Sequence, residues 1–147
     1  MYDLSVTLHV LAALVGFGVT YSYPVLQLLG ERGDRRNLPF ALDAITTLSS
    51  RVAVPATIVV GLTGIYQLAD GPYGLDDAWA SGGLVLYLAV MAAATGYLAP
   101  RYRRAAEAAR RGDEVGYAAI VRGINVVGTL VVLAVLAIVV LMVLKPS

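Results

Sequence analysis

The stretch "GINVVGTLVVLAVLAIVVLMVL", residues 123–144, runs for 22 residues without a charged side chain. Its valines and isoleucines favour strands in water. Crossing the hydrocarbon core of a bilayer, however, takes about 20 apolar residues. There the backbone must satisfy its own hydrogen bonds, which a continuous run of this kind does as a helix. The length and lack of charge therefore override the strand propensity. The stretch is a membrane span.

Three further uncharged segments lie upstream: Leu4–Leu29, Val52–Ala69 and Ala78–Pro100. The chain is 59% hydrophobic and only 14% charged, with a mean hydropathy of +0.75. A soluble domain carries roughly a quarter charged residues, so the composition belongs to lipid. With no cysteine, disulfides, zinc–thiolate sites and iron–sulfur clusters are excluded. The expectation is an all-α membrane protein, a single domain folded as a four-helix up-down bundle. Its helices fall at about 4–29, 39–69 (membrane part 52–69), 78–108 (membrane part 78–100) and 115–144.

Charge orients the bundle. Ten of the eleven basic residues fall in or beside the first and third loops, "GERGDRRN" and "PRYRRAAEAARRGDE", leaving only Lys145 at the other end. The second loop, "DGPYGLDDAW", has three Asp and no Lys or Arg. The positive-inside rule places both Arg-rich loops in the cytoplasm and both termini outside, in a bacterial cytoplasmic membrane. "MYDL" lacks the basic start of a signal peptide, so helix 1 is expected to persist. Tyr2, Tyr73, Trp79 and Tyr102 fall near the interfaces, where amphipathic rings favour headgroups.

Two segments extend the spans on the Arg-rich side. "NLPFALDAITTLSS" precedes helix 2, with Phe40, Ile45 and Leu48 expected to face the membrane. "RYRRAAEAARRGDEVGYAAIVR" continues helix 3, breaks near Gly112 and leads into helix 4. Pro55 is placed in the first membrane turn of helix 2, where a missing donor matters least. Arg51, Arg101, Arg103, Arg104 and Arg122 are expected to reach lipid headgroups. Positive-inside topology accounts for this charge, so nucleic acid is not an expected partner.

The only histidine, His9, sits inside the apolar run of helix 1. At about 100° per residue, Gly16, Thr20, Tyr23 and Gln27 share its face. Three roles stay open: a ligand, a proton-handling group, or a structural residue hydrogen-bonded across the bundle. By depth, Tyr66, Gln67, Tyr87 and Met142 lie level with it, and a tyrosine, glutamine or backbone carbonyl is the expected partner. Imidazole with the Met142 thioether suits Cu(I) or a haem iron. A second polar level groups Tyr23, Gln27 and Asn125 near the Arg-rich end. Thr57, Gly61 and Gly64 on helix 2, and Gly83, Tyr87, Ala94 and Tyr97 on helix 3, form packing faces. No phosphate-binding loop, nucleophile elbow or selectivity filter is present, and no carboxylate lies inside a span.

"LHVLAALVGFGV", "RVAVPATIVVGLTGIYQL" and "YLAVMAAATGYLAPRYRR" together resemble uncharacterised bacterial four-helix integral membrane proteins related to the copper-resistance D domain. That grouping also includes the haem-containing membrane protoporphyrinogen oxidase. The resemblance implies haem b or copper as cofactor, with His9 matching the first-helix histidine of the grouping. The later-helix lysine of the oxidase branch has no counterpart, since the only lysine is Lys145. The expected function is that of a small non-enzymatic membrane protein, working as a homo-oligomer or as an accessory subunit of a larger complex. The alternatives are a haem- or copper-binding redox protein using His9, and a small transporter or channel.

Overall fold

The computed structural model describes residues 1–145. Nearly all of them are helical: α1 (Tyr2–Arg32), a 3₁₀ turn (Arg35–Asn37), α2 (Leu38–Leu48), α3 (Val54–Asp70), α4 (Ala78–Ala92), α5 (Ala99–Arg110) and α6 (Glu114–Leu144). A π-helical turn, Ser49–Ala53, joins α2 to α3 without a break, and a second, Ala93–Leu98, joins α4 to α5. The chain thus forms four rods, each long and apolar enough to cross a membrane. The rod containing residues 123–144 is the most apolar, with a peak window hydropathy of 3.2.

Each π turn precedes a proline: Pro55 lies inside a continuous rod, as Pro100 does in the next one. A proline there lacks its N–H, and its ring collides with the carbonyl four residues back. A π turn widens the helix and shifts the hydrogen bonding by one residue, which absorbs both defects. It also keeps the buried faces aligned. Ile45 and Ala53 belong to one core but would lie about 80° apart on an uninterrupted α-helix, and about 20° apart once one residue is absorbed.

The rods pair as two antiparallel hairpins. In the first, α1 packs along both α2 and α3; in the second, α6 packs along α4 and α5. The hairpins join at the Arg-rich end, where α2 lies against α5. Ala105 and Ala106 are almost wholly buried there, and their small side chains permit the close approach. Leu42, Ile45 and Ile124 fill this core. Ile45 therefore does not face the membrane, and neither does Tyr102, 8% exposed in the same core. The two extensions bury their apolar faces against each other, while Phe40 remains 76% exposed. Towards the chain termini α3 and α4, although consecutive, barely touch. A second core of Phe17, Val90, Val131, Val135 and Ile138 holds the hairpins together at mid-height.

The turns use local polar groups. Gly112 takes φ +69, a left-handed conformation suited to glycine. Asp113 then caps α6, accepting from the Gly116 N–H at 2.8 Å. Asp77 precedes α4 and accepts from the Gly74 N–H at 3.0 Å. At the same end Trp79 meets Tyr73 edge-to-face at 5.1 Å, and Lys145 Nζ donates to the Tyr73 hydroxyl at 3.2 Å.

Candidate functional site

His9 is half-buried on α1 against α3. Its Nδ1 lies 2.9 Å from Thr63 Oγ1, and that hydroxyl donates to the Val59 carbonyl at 2.7 Å. When the threonine proton stays on that carbonyl, Nδ1 is the donor of the shared bond. The ring thus meets Thr63 and the Val60 backbone carbonyl; the expected carbonyl is present, and the expected tyrosine and glutamine are replaced by a threonine. Gly64 explains the change. With no side chain there, the ring lies flat against α3, and a Cβ at Gly64 would sit 3.3 Å from His9 Cε1.

The other residues at this depth are not gathered around His9. The exposed Tyr66 donates to Asp70 at 2.7 Å. Gln67 donates to the Ser5 carbonyl across the α1–α3 seam at 3.4 Å. Tyr87 reaches from α4 to the Thr57 carbonyl of α3 at 2.9 Å, crossing where Gly61 leaves room. Met142 is 36% exposed, with its methyl group near Gly83. Among the described residues, no group of three or more His, Asp or Glu side chains could hold a metal ion.

A polar chain occupies the Arg-rich end. Gln27, 6% exposed, donates to Glu31 at 3.0 Å and to Asn125 at 3.1 Å. Glu31 also accepts from the Tyr117 hydroxyl at 2.7 Å. The network therefore ties α1 to α6, although Asn125 itself lies on the exposed face. Arg51, Arg103, Arg104 and Arg122 are exposed. Arg101 instead stacks on the Tyr97 ring at 3.5 Å. Arg110 and Arg35 pair with Asp43 and Glu114, linking α5 to α2 and the 3₁₀ turn to α6.

A cavity of ≈ 330 Å³ lies between the two hairpins. Its walls come from all four rods, and both π turns contribute to it. Phe17, Val90, Val131 and Val135 make its mid-membrane part apolar, while Ser50 and Arg103 stand at the opposite end. Most of the hydroxyls along it are engaged by their own helices: Thr20, Thr46, Thr57 and Thr95 each donate to the carbonyl four residues back. Tyr23 differs. It is 9% exposed, lines the cavity, and its buried hydroxyl lies near Ser49 without a well-formed hydrogen bond. His9 does not line this cavity.

Sequence reasoning named Tyr23, Gln27 and Asn125 but missed Thr63, Glu31, Tyr117 and the cavity. Glu31 follows Gln27 by four residues, a spacing that places two side chains together on a helix, so that link was readable. The cavity was not, because it depends on how far two hairpins splay. Comparison with curated proteins and with solved structures finds no match. The model of one family, described as predicted integral membrane protein (DUF2269), matches residues 3–146. Four membrane-capable helices over nearly the whole matched length agree with that description, and the chain belongs to this uncharacterised family of integral membrane proteins.

Proposed function

We propose that this protein is a non-enzymatic membrane subunit that works in association, as a homo-oligomer or as an accessory chain of a larger complex. Its setting in this reading is a bacterial cytoplasmic membrane, with both termini outside and the Arg-rich loops inside. The observation that carries the reading is how little of each span the chain covers by itself. In the four most apolar windows only 11–17% is buried within the molecule, and the terminal halves of the hairpins do not close on each other. Faces left open in this way are available to further helices, and small residues such as Gly18 and Gly96, with nothing near their Cβ positions, allow close approach. Native mass spectrometry in mild detergent tests the idea. It should return a multiple of the 15.4 kDa chain or a stable co-purifying subunit, whereas a strict monomer would count against it.

A second reading rests on His9. A metal-ligating histidine donates its other ring N–H to a fixed acceptor, and an Nδ1–H bond to Thr63 has that form. This reading would extend the kinship to the copper-resistance D domain and the haem-containing oxidase grouping. Purified protein with neither a Soret band nor bound copper removes it.

A further inference from the structure

We propose that the cavity between the hairpins holds one anionic phospholipid of the Arg-rich leaflet, with an acyl chain reaching up towards Phe17 and the headgroup at Arg103. The inference is independent of how many copies associate, since all four rods lining the cavity belong to one chain.

Depth comes first. Trp79 marks one end of the third rod, and Tyr102 follows it by 23 residues, about 35 Å of helix. The hydrocarbon core is about 30 Å thick, so Tyr102 and Arg103 reach headgroup depth. Phe17 follows Tyr2 by 15 residues, about 22 Å along α1, and lies within hydrocarbon. The cavity therefore runs from the tail region to the phosphate region of one leaflet, and its lining changes from apolar to polar in the same direction. A fatty chain with a polar head matches that gradient.

Charge and unsatisfied polarity supply the second argument. Arg103 is exposed at the cavity's polar end and makes no ion pair among the described residues, unlike Arg35 and Arg110. A guanidinium at this level matches a phosphate in geometry and charge. The Tyr23 hydroxyl has only the nearby Ser49 and no well-formed hydrogen bond, and a buried polar group poorly paired in this way is unfavourable. The hydroxyl is closed off in this conformation, and a rotation of the phenol would present its proton to a glycerol ester carbonyl, which lies just inside the phosphate. Volume is the third argument. At ≈ 330 Å³ the cavity lies at the lower end of the roughly 300–1,000 Å³ typical of ligand pockets, which suits a single acyl chain.

Native mass spectrometry of the full chain, released from detergent micelles titrated with dioleoyl-phosphatidylglycerol or dioleoyl-phosphatidylcholine, tests the proposal. Gly128 lines the cavity, and a Cβ there meets no atom within 4 Å. Gly128→Leu should therefore fill the space without harming the helix and reduce retention of the glycerol lipid at least tenfold. Arg103→Gln should weaken retention about fivefold, the change expected for one cation facing an anionic lipid. Arg104→Gln, which removes the same charge outside the cavity, should leave it unchanged. The wild type should hold one phosphatidylglycerol per chain and release phosphatidylcholine more readily. Equal losses for Arg103→Gln and Arg104→Gln would mean bulk attraction only and would overturn the proposal, a result that does not depend on how Gly128→Leu folds. Undiminished binding to folded Gly128→Leu, or a co-purified prenyl quinone in place of phospholipid, would overturn it as well.

Discussion

At the scale of single residues, the most informative position is His9. Its context in the sequence left three roles open, and nothing in the one-dimensional pattern could choose a threonine from the facing helix. That choice depended on Gly64, whose missing side chain lets the ring settle one turn away from the tyrosine and glutamine level with it. The bond is testable by itself. Thr63→Val should destabilise the protein by about 0.6 kcal/mol, the average for hydrogen bonds between membrane helices. His9→Gln should be milder than His9→Leu, because an amide still donates and accepts. In a double-mutant cycle the His9→Leu and Thr63→Val effects should be sub-additive by a similar amount, read from the midpoint of unfolding in detergent. Additive effects would show that the two side chains do not interact. If His9 were a ligand to iron or copper, both His9 substitutions would abolish the bound species whatever they did to stability.

At the scale of elements, hydropathy and charge located the spans because each of them is long, continuous and bounded by charged residues. The same signals could not foresee the packing of α2 on α5. Ile45 looked like a membrane-facing residue of an interfacial helix, yet it is sealed beneath Ala105 and Ala106. Alanine is weakly apolar, and its importance here comes from being small. The π turns were equally hidden, since placing Pro55 in the first membrane turn of helix 2 does not reveal how the helix upstream accommodates it. They have a consequence that the hydrogen-bond register makes plain. A π turn is an α-helix with one residue too many, so removing that residue should restore regular α geometry without rotating α2 against α3. Deletion of Ser50, an exposed residue inside the first π turn, is expected to leave the unfolding midpoint within about 1 kcal/mol of wild type. Inserting one alanine between Val59 and Val60 turns the far end of α3 by about 100°. That breaks the His9–Thr63 and Ser5–Gln67 contacts and should prevent stable folding. If both changes were tolerated equally, the alignment argument for the π turns would be wrong.

At the scale of the molecule, the asymmetry of charge between the two ends is stronger than any local motif. The Arg-rich end is also where the hairpins are locked, through Leu42, Ile45 and Ile124 and the Gln27–Glu31–Tyr117 chain. The terminal end is open, fastened by Tyr73, Trp79 and Lys145 and by the single Tyr87 bridge. The cavity lies between the mid-height core and the locked end, with walls drawn from all four rods, which explains why no segment of sequence announced it. The orientation of this asymmetric body rests on the positive-inside rule, in which Lys and Arg near the span ends determine the cytoplasmic side. Because the chain has no cysteine, single introduced thiols report on this directly. Asp76→Cys, in the exposed loop between α3 and α4, should react with a membrane-impermeant maleimide on intact cells. Arg35→Cys and Arg110→Cys remove only solvent-exposed ion pairs, each worth about 0–1 kcal/mol, so the fold should survive both. These two thiols should react only after permeabilisation. The opposite labelling pattern would place the locked end and the cavity's arginine in the outer leaflet, reversing the proposed topology while leaving the helical packing unchanged.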